Sequence, residues 1–160
     1  MIINASIEAR MKSKRLPGKV LSKVCGKTIL EHIHERASKI KSVHNVFVAT
    51  STDPEDDDIA KLCKEKNIKC FRGSESDVLD RITKGHIFFE SDIVLQLTGD
   101  SPFLDPGTAQ KSIELFLNSR VDYLSNTLVR TYPIGIRYQV YKRTFLEEIN
   151  SLLLDKRDRE

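Results

Sequence analysis

The sequence predicts an α/β fold in three layers, with a mostly parallel sheet between two layers of helices. Short apolar, β-branched runs alternate along the chain with stretches whose apolar residues recur at helical spacing. The run 46–50 is almost continuously apolar, which is typical of a strand covered on both faces. This alternation of strand and helix is the pattern of a parallel sheet with helices on both faces.

Six runs rich in apolar and β-branched residues are predicted to form strands, at 2–7, 46–50, 68–71, 92–97, 121–124 and 138–141. Five helices are predicted, at 28–38, 53–67, 74–89, 105–118 and 144–154. Asp53 and Asp105 each precede a proline, and this pair suits the N-cap and first position of a helix. The Ser-x-x-Asp sequence at Ser74 indicates the start of the third helix.

The composition excludes several classes of protein. The 160 residues suit one domain, and no apolar run approaches the roughly 20 residues that a membrane span needs. The N-terminus lacks a basic stretch followed by an apolar one, so a cytoplasmic location is predicted. The three cysteines are too few and too irregularly spaced for a disulfide framework or a zinc site, and reduced, buried thiols are expected at Cys25, Cys63 and Cys70.

Positive charge is concentrated near the N-terminus. Residues 10–27 contain seven cations and no acid, whereas the whole chain has a net charge of only +3, so the remainder is acidic. A local anionic partner is therefore expected. Nucleic acid is not expected, because this window has no aromatic residue to stack on a base and the acidic remainder would repel a polyanion. A small phosphorylated ligand fits better.

The loop 10–19 carries the groups that a triphosphate needs. Arg10, Arg15 and Lys19 can neutralise phosphate charge, Ser13 can donate its hydroxyl, and Gly18 permits close approach of the backbone. The alternative is a solvated basic loop. Because this loop directly follows the first strand, the phosphate-binding interpretation is favoured. Gly26-Lys27-Thr28 resembles the end of a Walker A loop, but the glycine that this motif requires five residues earlier is Leu21.

A second candidate site follows the fourth strand, at Thr98-Gly99-Asp100. In parallel sheets, ligands bind at the carboxyl ends of the strands, so this loop and the basic loop should lie on the same edge. An aspartate in this position can hold Mg²⁺ that is bridged to phosphates. The alternative is an aspartate that caps a tight turn before Pro102.

Other polar residues give weaker signals. Arg72 follows the third strand and could contact a phosphate or a base edge, or pair with a nearby acid. Asp77, Asp80 and Arg81 could belong to the site or to the solvated face of a helix. No catalytic triad or zinc spacing emerges from the four histidines, which are interpreted as solvated residues: His32, His34, His44 and His86.

Several of these motifs, in this order, resemble the cytidylyltransferases that make CMP-activated acidic sugars, and most of all their spore-coat polysaccharide branch. The resemblance covers nearly the whole chain. It rests on Ile7-Glu8-Ala9-Arg10, Ser13 and Arg15-Leu16-Pro17-Gly18-Lys19, then on Phe71-Arg72-Gly73-Ser74-Glu75, Thr98-Gly99-Asp100-Ser101-Pro102 and Tyr132-Pro133.

The resemblance implies a glycosyltransferase-A-like nucleotide-binding fold, CTP as donor, an acidic sugar as acceptor, and Mg²⁺. It implies that Arg10, Ser13 and Lys19 contact the triphosphate and that Asp100 binds the metal. Arg10, Lys19 and Asp100 are the predicted catalytic residues. The predicted nucleotide-binding residues are Ala9, Arg10, Ser13, Arg15, Gly18, Lys19, Arg72, Thr98 and Gly99. A homodimer is also implied, and we predict its contacts after Asn126, where Tyr132, Tyr138 and Tyr141 offer aromatic area.

The chain departs from the family pattern at two places. Gly135-Ile136-Arg137 puts an arginine where the spore-coat branch usually has an aspartate. Family members also continue further and carry a second metal-binding aspartate in their late segment, so a single domain truncated at its C-terminus is expected. Two alternatives stay open: a catalytically inactive nucleotide-binding or dimerisation module, and a glycosyltransferase that uses the Asp-x-Asp spacing within Asp56-Asp57-Asp58.

Overall fold

The computed structural model describes residues 1–13, 15–129, 131–153, 155 and 159. Its strands are β1 (Ile3–Glu8), β2 (Lys23–Val24), β3 (Lys27–Thr28), β4 (Asn45–Ser51), β5 (Lys69–Gly73), β6 (Ile93–Thr98), β7 (Tyr123–Ser125) and β8 (Tyr138–Lys142). Its α-helices are α1 (Ile29–Ala37), α2 (Asp57–Glu65), α3 (Val78–Phe88), α4 (Pro106–Asn118) and α5 (Arg143–Leu152). Short 3-10 helices cover Lys19–Leu21 and Pro54–Asp56.

Six strands form one sheet in the order β5-β4-β1-β6-β8-β7. The first four strands in this order are parallel, while β8 runs antiparallel to β6 and β7 antiparallel to β8. The helices α1, α2 and α4 pack on one face of the sheet, and α3 and α5 pack on the other. The predicted three-layer, mostly parallel α/β fold is confirmed. None of the helices that the structure describes is long and apolar enough to cross a membrane.

The main core lies on the α1, α2 and α4 face, because alternate residues of the central strands point there. Ile3, Ala5 and Ile7 of β1 are buried in it together with Leu95 and Leu97 of β6. The opposite face of β1 carries Asn4, Ser6 and Glu8. His86 of α3 contacts Ser6, Asn4 donates to the Phe89 carbonyl and the Ser91 hydroxyl just after that helix, and Glu8 accepts from Gln96 of β6. One face of the sheet is therefore apolar, and the other brings polar groups toward its carboxyl edge.

Two local features differ from the prediction. A small hairpin, β2–β3, follows the basic loop, and Cys25 and Gly26 form its turn with φ angles of 50° and 81°. Cys25 is exposed there, so its predicted burial is wrong, whereas Cys63 is buried. Helix α3 begins at Val78 and not at 74, because the carboxylate of Asp77 accepts a hydrogen bond from the Asp80 amide and so forms the N-cap.

Two of the three tyrosines predicted to form a dimer interface lie in the core. Tyr138 is 1% exposed and Tyr141 is 3% exposed. The Tyr138 hydroxyl lies 2.8 Å from the Ser112 hydroxyl on α4, and the Tyr141 ring stacks against Tyr123. These side chains cover the edge of their own domain, because β8 extends the sheet under α4 and α5. Their assignment to a dimer interface is wrong.

His86 is buried in α3, and its interpretation as a solvated residue is also wrong. Its Nδ1 lies 2.8 Å from the Ser91 hydroxyl and its Nε2 lies 3.0 Å from the Ser6 hydroxyl. The Phe47 ring packs edge-on against the imidazole. Burial, assisted by the positive charge of Arg143, lowers the pKa of His86 to about 3. The imidazole is therefore neutral in the folded protein and connects α3 to β1.

This burial predicts a loss of stability in weak acid. Between pH 6.5 and pH 3 the unfolded chain protonates His86 while the folded chain does not, so the free energy of unfolding falls as pH falls through that range. The expected slope is about 1 kcal/mol per pH unit below 6.5. Urea denaturation at pH 7.5 and pH 5.5 measures it. His86→Gln should reduce the difference between the two pH values, while His32→Gln, on α1, should leave it as in the wild type. An equal pH dependence in both variants would contradict the assignment.

Candidate functional site

The carboxyl ends of β1 and β6 are joined by a short backbone contact. Glu8 pairs with Thr98 in the parallel register, and the Gly99 amide donates to the Glu8 carbonyl at 2.8 Å. A Cβ atom at position 99 would lie 2.5 Å from that carbonyl oxygen, so only glycine fits. The loops that follow β1 and β6 therefore lie side by side on one edge of the sheet, as predicted.

A cavity of about 430 Å³ opens between these two loops and the start of α3. Its lining residues are Glu8, Ala9, Arg10, Lys12, Ser13, Arg15, Lys19, Val20, Val78, Arg81, Thr98, Gly99, Asp100 and Arg137. Of the predicted site residues, the structure thus brings together Ala9, Arg10, Ser13, Arg15, Lys19, Thr98, Gly99 and Asp100.

The backbone of the basic loop is held by Asp56, a role that the sequence did not indicate. One carboxylate oxygen of Asp56 accepts from the Met11 amide at 2.7 Å, and the other accepts from the amide and hydroxyl of Ser51. The Gly18 amide donates to the Met11 carbonyl at 2.9 Å, which closes the loop. Asp56 is only 3% exposed, so its charge is fully used by these donors.

Acidic residues from distant segments neutralise part of the cationic window. Lys12 donates to Asp53 at 2.7 Å and to Glu75 at 2.6 Å, and Lys27 pairs with Glu35. Across the portions of the chain that the structure covers, Arg10 and Arg15 make no ion pair. These two guanidinium groups line the cavity and are available to an anion there.

Lys19 and Asp100 form an ion pair across the cavity, with Nζ 2.6 Å from Oδ2. Burial would raise the pKa of Asp100, but the hydrogen bond and charge of Lys19 outweigh it and hold that pKa below its usual value. The carboxylate is therefore ionised. Its side chain is 45% exposed and that of Lys19 is 27% exposed, and ion pairs this accessible contribute at most about 1 kcal/mol. A ligand can separate the two groups at little cost.

Two predicted nucleotide-binding residues do not line the cavity. Gly18 has a φ of 69° and serves the turn that leads into the 3-10 helix. Arg72 donates from Nε to the Ser51 carbonyl at 2.8 Å and pairs through Nη2 with Asp57 at 2.7 Å. Arg72 thus forms the pair with a nearby acid that was the alternative to a contact with a phosphate or a base. Neither residue is directed at a ligand of this cavity.

The donor set fits a metal that is shared with phosphate and does not fit a metal held by protein alone. Among the residues with described positions, no group of three or more His, Cys, Asp or Glu side chains could hold a metal ion. Two carboxylates line the cavity: Glu8, at the end of β1, and Asp100, which is ionised and lies beside Lys19. Mg²⁺ is commonly bound by one or two carboxylates together with substrate phosphates, and this arrangement suits that mode. The Asp-x-Asp spacing does not form a metal site, because Asp56 is buried among backbone donors.

A second cavity, of about 270 Å³, adjoins the first and shares Arg15, Asp100 and Arg137 with it. The segment 126–137 forms most of its wall. Asn126 holds this segment in a loop, since its side chain donates to the Ile136 carbonyl at 2.6 Å and accepts from the Tyr138 amide at 3.1 Å. Arg137 is exposed and makes no ion pair within the parts of the chain that have been described.

Six lining residues were not among the predicted site residues, although Arg81 had been left open as one: Glu8, Lys12, Val20, Val78, Arg81 and Arg137. A signal for Glu8 existed, because this carboxylate stands at the end of the first strand, directly before the basic loop. Arg81 lies one turn inside a helix, where an arginine is usually solvated, but it is 2% exposed here. Its burial depends on how α3 packs over β1 and β5, which no local pattern reveals.

The chain is similar to known proteins over most of its length. Residues 5–152 match the family described as Cytidylyltransferase. The chain is 36% identical over 160 residues to an uncharacterized protein of Methanocaldococcus jannaschii and 33% identical over 150 residues to the spore coat polysaccharide biosynthesis protein SpsF of Bacillus subtilis. These alignments cover 100% and 91% of the chain and span 65% and 61% of the two relatives.

A third relative is the 8-amino-3,8-dideoxy-manno-octulosonate cytidylyltransferase of Shewanella baltica, which is 34% identical over 122 residues. That match covers 72% of the chain and 48% of the relative. The solved structure of a cytidylyltransferase from Leptospira borgpetersenii superimposes with a TM-score of 0.94 at 32% identity, over 100% of the chain and 68% of that structure. With this fold, this cavity and a family match over most of its length, the chain belongs to the cytidylyltransferase family.

Proposed function

We propose that the chain transfers CMP from CTP to an acidic sugar, for the synthesis of a surface polysaccharide or glycan in the cytoplasm. The family supports the cytidylyl group, and the relatives named for spore coat polysaccharide and for an octulosonate acid support the acceptor class. The observation that carries the proposal is the cavity at the carboxyl ends of β1 and β6, where Arg10, Arg15 and the Lys19–Asp100 pair converge.

In the proposed reaction a sugar hydroxyl attacks the α-phosphorus of CTP. The new oxygen–phosphorus bond forms as the bond to the pyrophosphate breaks, and the hydroxyl proton is released. Arg10 and Lys19 neutralise the charge that develops on the departing pyrophosphate, while Ser13 donates to a phosphate oxygen. The rigid loop 10–19, held by Asp56, supplies the positioning.

Asp100 would hold Mg²⁺ together with the phosphates, and the metal would supply charge neutralisation at the reacting phosphate. In the structure Lys19 already neutralises the carboxylate at 2.6 Å. To hold a metal–triphosphate complex, Asp100 would have to exchange Lys19 for the cation, and Lys19 would then be available to a phosphate. Because the ion pair is weak, this exchange costs little.

The second cavity is the proposed place of the acceptor. It borders the first at Asp100, so a sugar there would lie next to the phosphates. Arg15 and Arg137 border both cavities and offer guanidinium groups that can bind a carboxylate in a bidentate manner. This charge supports an acidic sugar over a neutral one.

The first test measures nucleotide binding by calorimetry. With Mg²⁺ present, the wild type should bind CTP more tightly than ATP, GTP or UTP. Lys19→Ala should weaken CTP binding by about 10- to 100-fold, because a hydrogen bond to a charged group contributes about 1.5–3 kcal/mol. Lys39→Ala, an exposed lysine elsewhere on the surface, should have little effect. Equal affinity for all four nucleotides, or no binding, would exclude the proposed function, and equal effects of the two substitutions would remove Lys19 from the site.

The second test concerns Asp100→Asn and predicts opposite changes with and without metal. The amide is a weaker ligand for Mg²⁺, so most of the Mg²⁺-dependent gain in CTP affinity should disappear. Without metal, CTP affinity should stay equal or rise, because Lys19 is released from its ion pair. Asp122→Asn, which removes a carboxylate that pairs with Lys142 on the surface, is the matched control. A lower melting temperature with unchanged metal dependence would show instead that Asp100 only caps its turn.

A homodimer remains part of the proposal, with a different set of contacts. Several apolar side chains after Asn126 are highly exposed, with Leu128 at 78%, Val129 at 74% and Ile134 at 91%. We expect light scattering to give the mass of a dimer and Ile134→Glu to shift it toward the monomer, since a buried charge would oppose association. Leu115→Glu, on exposed α4 surface, should leave the mass unchanged. A monomer at high concentration of the wild type would contradict this prediction.

A further inference from the structure

The cavity has two chemically different sides. The basic loop and the 3-10 helix Lys19–Leu21 supply the cations that suit phosphate. The opposite side is formed by Glu8 at the end of β1 and by Val78 and Arg81 of α3. This second side combines one apolar wall with two charged groups of opposite sign, and the proposed transfer chemistry uses neither of those groups.

Neighbouring side chains fix one oxygen of the Glu8 carboxylate. The Tyr141 hydroxyl donates to Gln96 Oε1 at 2.5 Å, so the Gln96 amide must turn its NH₂ group toward Glu8, where it donates to Oε1. Tyr141 and Gln96 thus hold Glu8 in one orientation. Within the described parts of the chain, the second carboxylate oxygen accepts no hydrogen bond, and it can accept one from a ligand. Burial raises the pKa of Glu8, although Gln96 and then Arg81 act in the opposite direction.

Arg81 has unused donors as well. It is 2% exposed, and its Nη1 donates to the Ser74 carbonyl at 2.5 Å. Its Nε atom is buried without a hydrogen-bond partner. Over the described residues, Glu8 and Arg81 make no ion pair, although both line the same cavity. Over these residues Arg81 keeps a buried donor without a partner, which is costly, while Glu8, which is only partly buried, keeps an acceptor oxygen at the cavity.

We infer that Glu8 and Arg81 recognise the hydrogen-bonding edge of the cytosine base. The Glu8 carboxylate accepts from the exocyclic 4-amino group, and the Arg81 guanidinium donates to the acceptors N3 and O2 beside it. Val78 offers its apolar surface to the ring. Uracil presents a carbonyl oxygen in place of the amino group and an N–H in place of N3. An acceptor of uracil would therefore face the acceptor of Glu8, and a donor of uracil would face the donor of Arg81. The inference rests on the proposed function and assigns its choice of nucleotide to these two side chains.

Glu8→Gln tests the inference, because the effect on base preference depends on whether the carbonyl oxygen or the NH₂ group of the new side chain faces the base. Gln96 would keep the carbonyl oxygen of the new side chain as its acceptor and leave the NH₂ group to face the base. A donor would then face the 4-amino group of cytosine, whereas it would suit O4 of uracil. Calorimetry with CTP, UTP and inorganic tripolyphosphate should show that the preference for CTP over UTP falls at least about tenfold. Binding of tripolyphosphate, which has no base, should not change.

Two further variants make the result decisive. Glu65→Gln, at an exposed position at the end of α2, should keep the wild-type preference. Glu8→Asp retains the charge beside Arg81 but withdraws the carboxylate by one methylene, so this variant should also lose preference for CTP. If Glu8→Gln does not fold, Glu8→Asp is used in its place. An unchanged CTP-to-UTP ratio in a folded Glu8 variant overturns the inference and leaves the proposed function standing. A wild type that does not distinguish CTP from UTP overturns both.

Discussion

The contact between the Gly99 amide and the Glu8 carbonyl sets the geometry of the whole site. It extends the pairing of β1 with β6 by one step beyond the regular strands, at 2.8 Å, and it leaves no space for a side chain at position 99. Because of it, the loop that carries Lys19 and the loop that carries Asp100 start from the same point of the sheet. This backbone hydrogen bond therefore sets the distance between the side chains of Lys19 and Asp100 and the position of the cavity, although neither side chain takes part in it.

Polar residues on the opposite face of the sheet support that edge from below. β1 points Asn4, Ser6 and Glu8 toward α3, where His86 and Arg81 lie. Each of these groups has lost its water, so each needs a partner with a fixed orientation. The neutral imidazole of His86 is the partner of Ser6 at the middle of β1. At the end of β1, Gln96 is the partner of Glu8 and is itself oriented by Tyr141. Hydrogen bonds between polar side chains, as well as apolar packing, therefore fix the position of α3 relative to the sheet.

The sequence allowed most of the fold to be predicted, because its signals are local. The apolar runs of the strands and the caps at Asp53 and Asp105 depend on neighbours only a few residues away. Burial of polar residues was predicted poorly, since it depends on what packs above a residue. His86, Arg81 and Asp56 carry ordinary helix-surface residue types and are all buried. The charge of the cationic window 10–27 was overestimated for the same reason: Asp53 and Glu75 reach Lys12 from segments far along the sequence, and Glu35 pairs with Lys27.

The wall of the second cavity differs in kind from the rest of the site. It consists of the segment 126–137, whose described residues form no helix or strand. Asn126 joins its two ends, and the Phe103 amide donates to the Gly135 carbonyl close to the second end. Within this segment Arg137 also lines the first cavity, whereas the other described wall residues do not. Natural variation at those other positions can therefore change the second cavity while the lining of the first stays the same, so that one scaffold can vary what its second cavity admits by drift in a single surface segment.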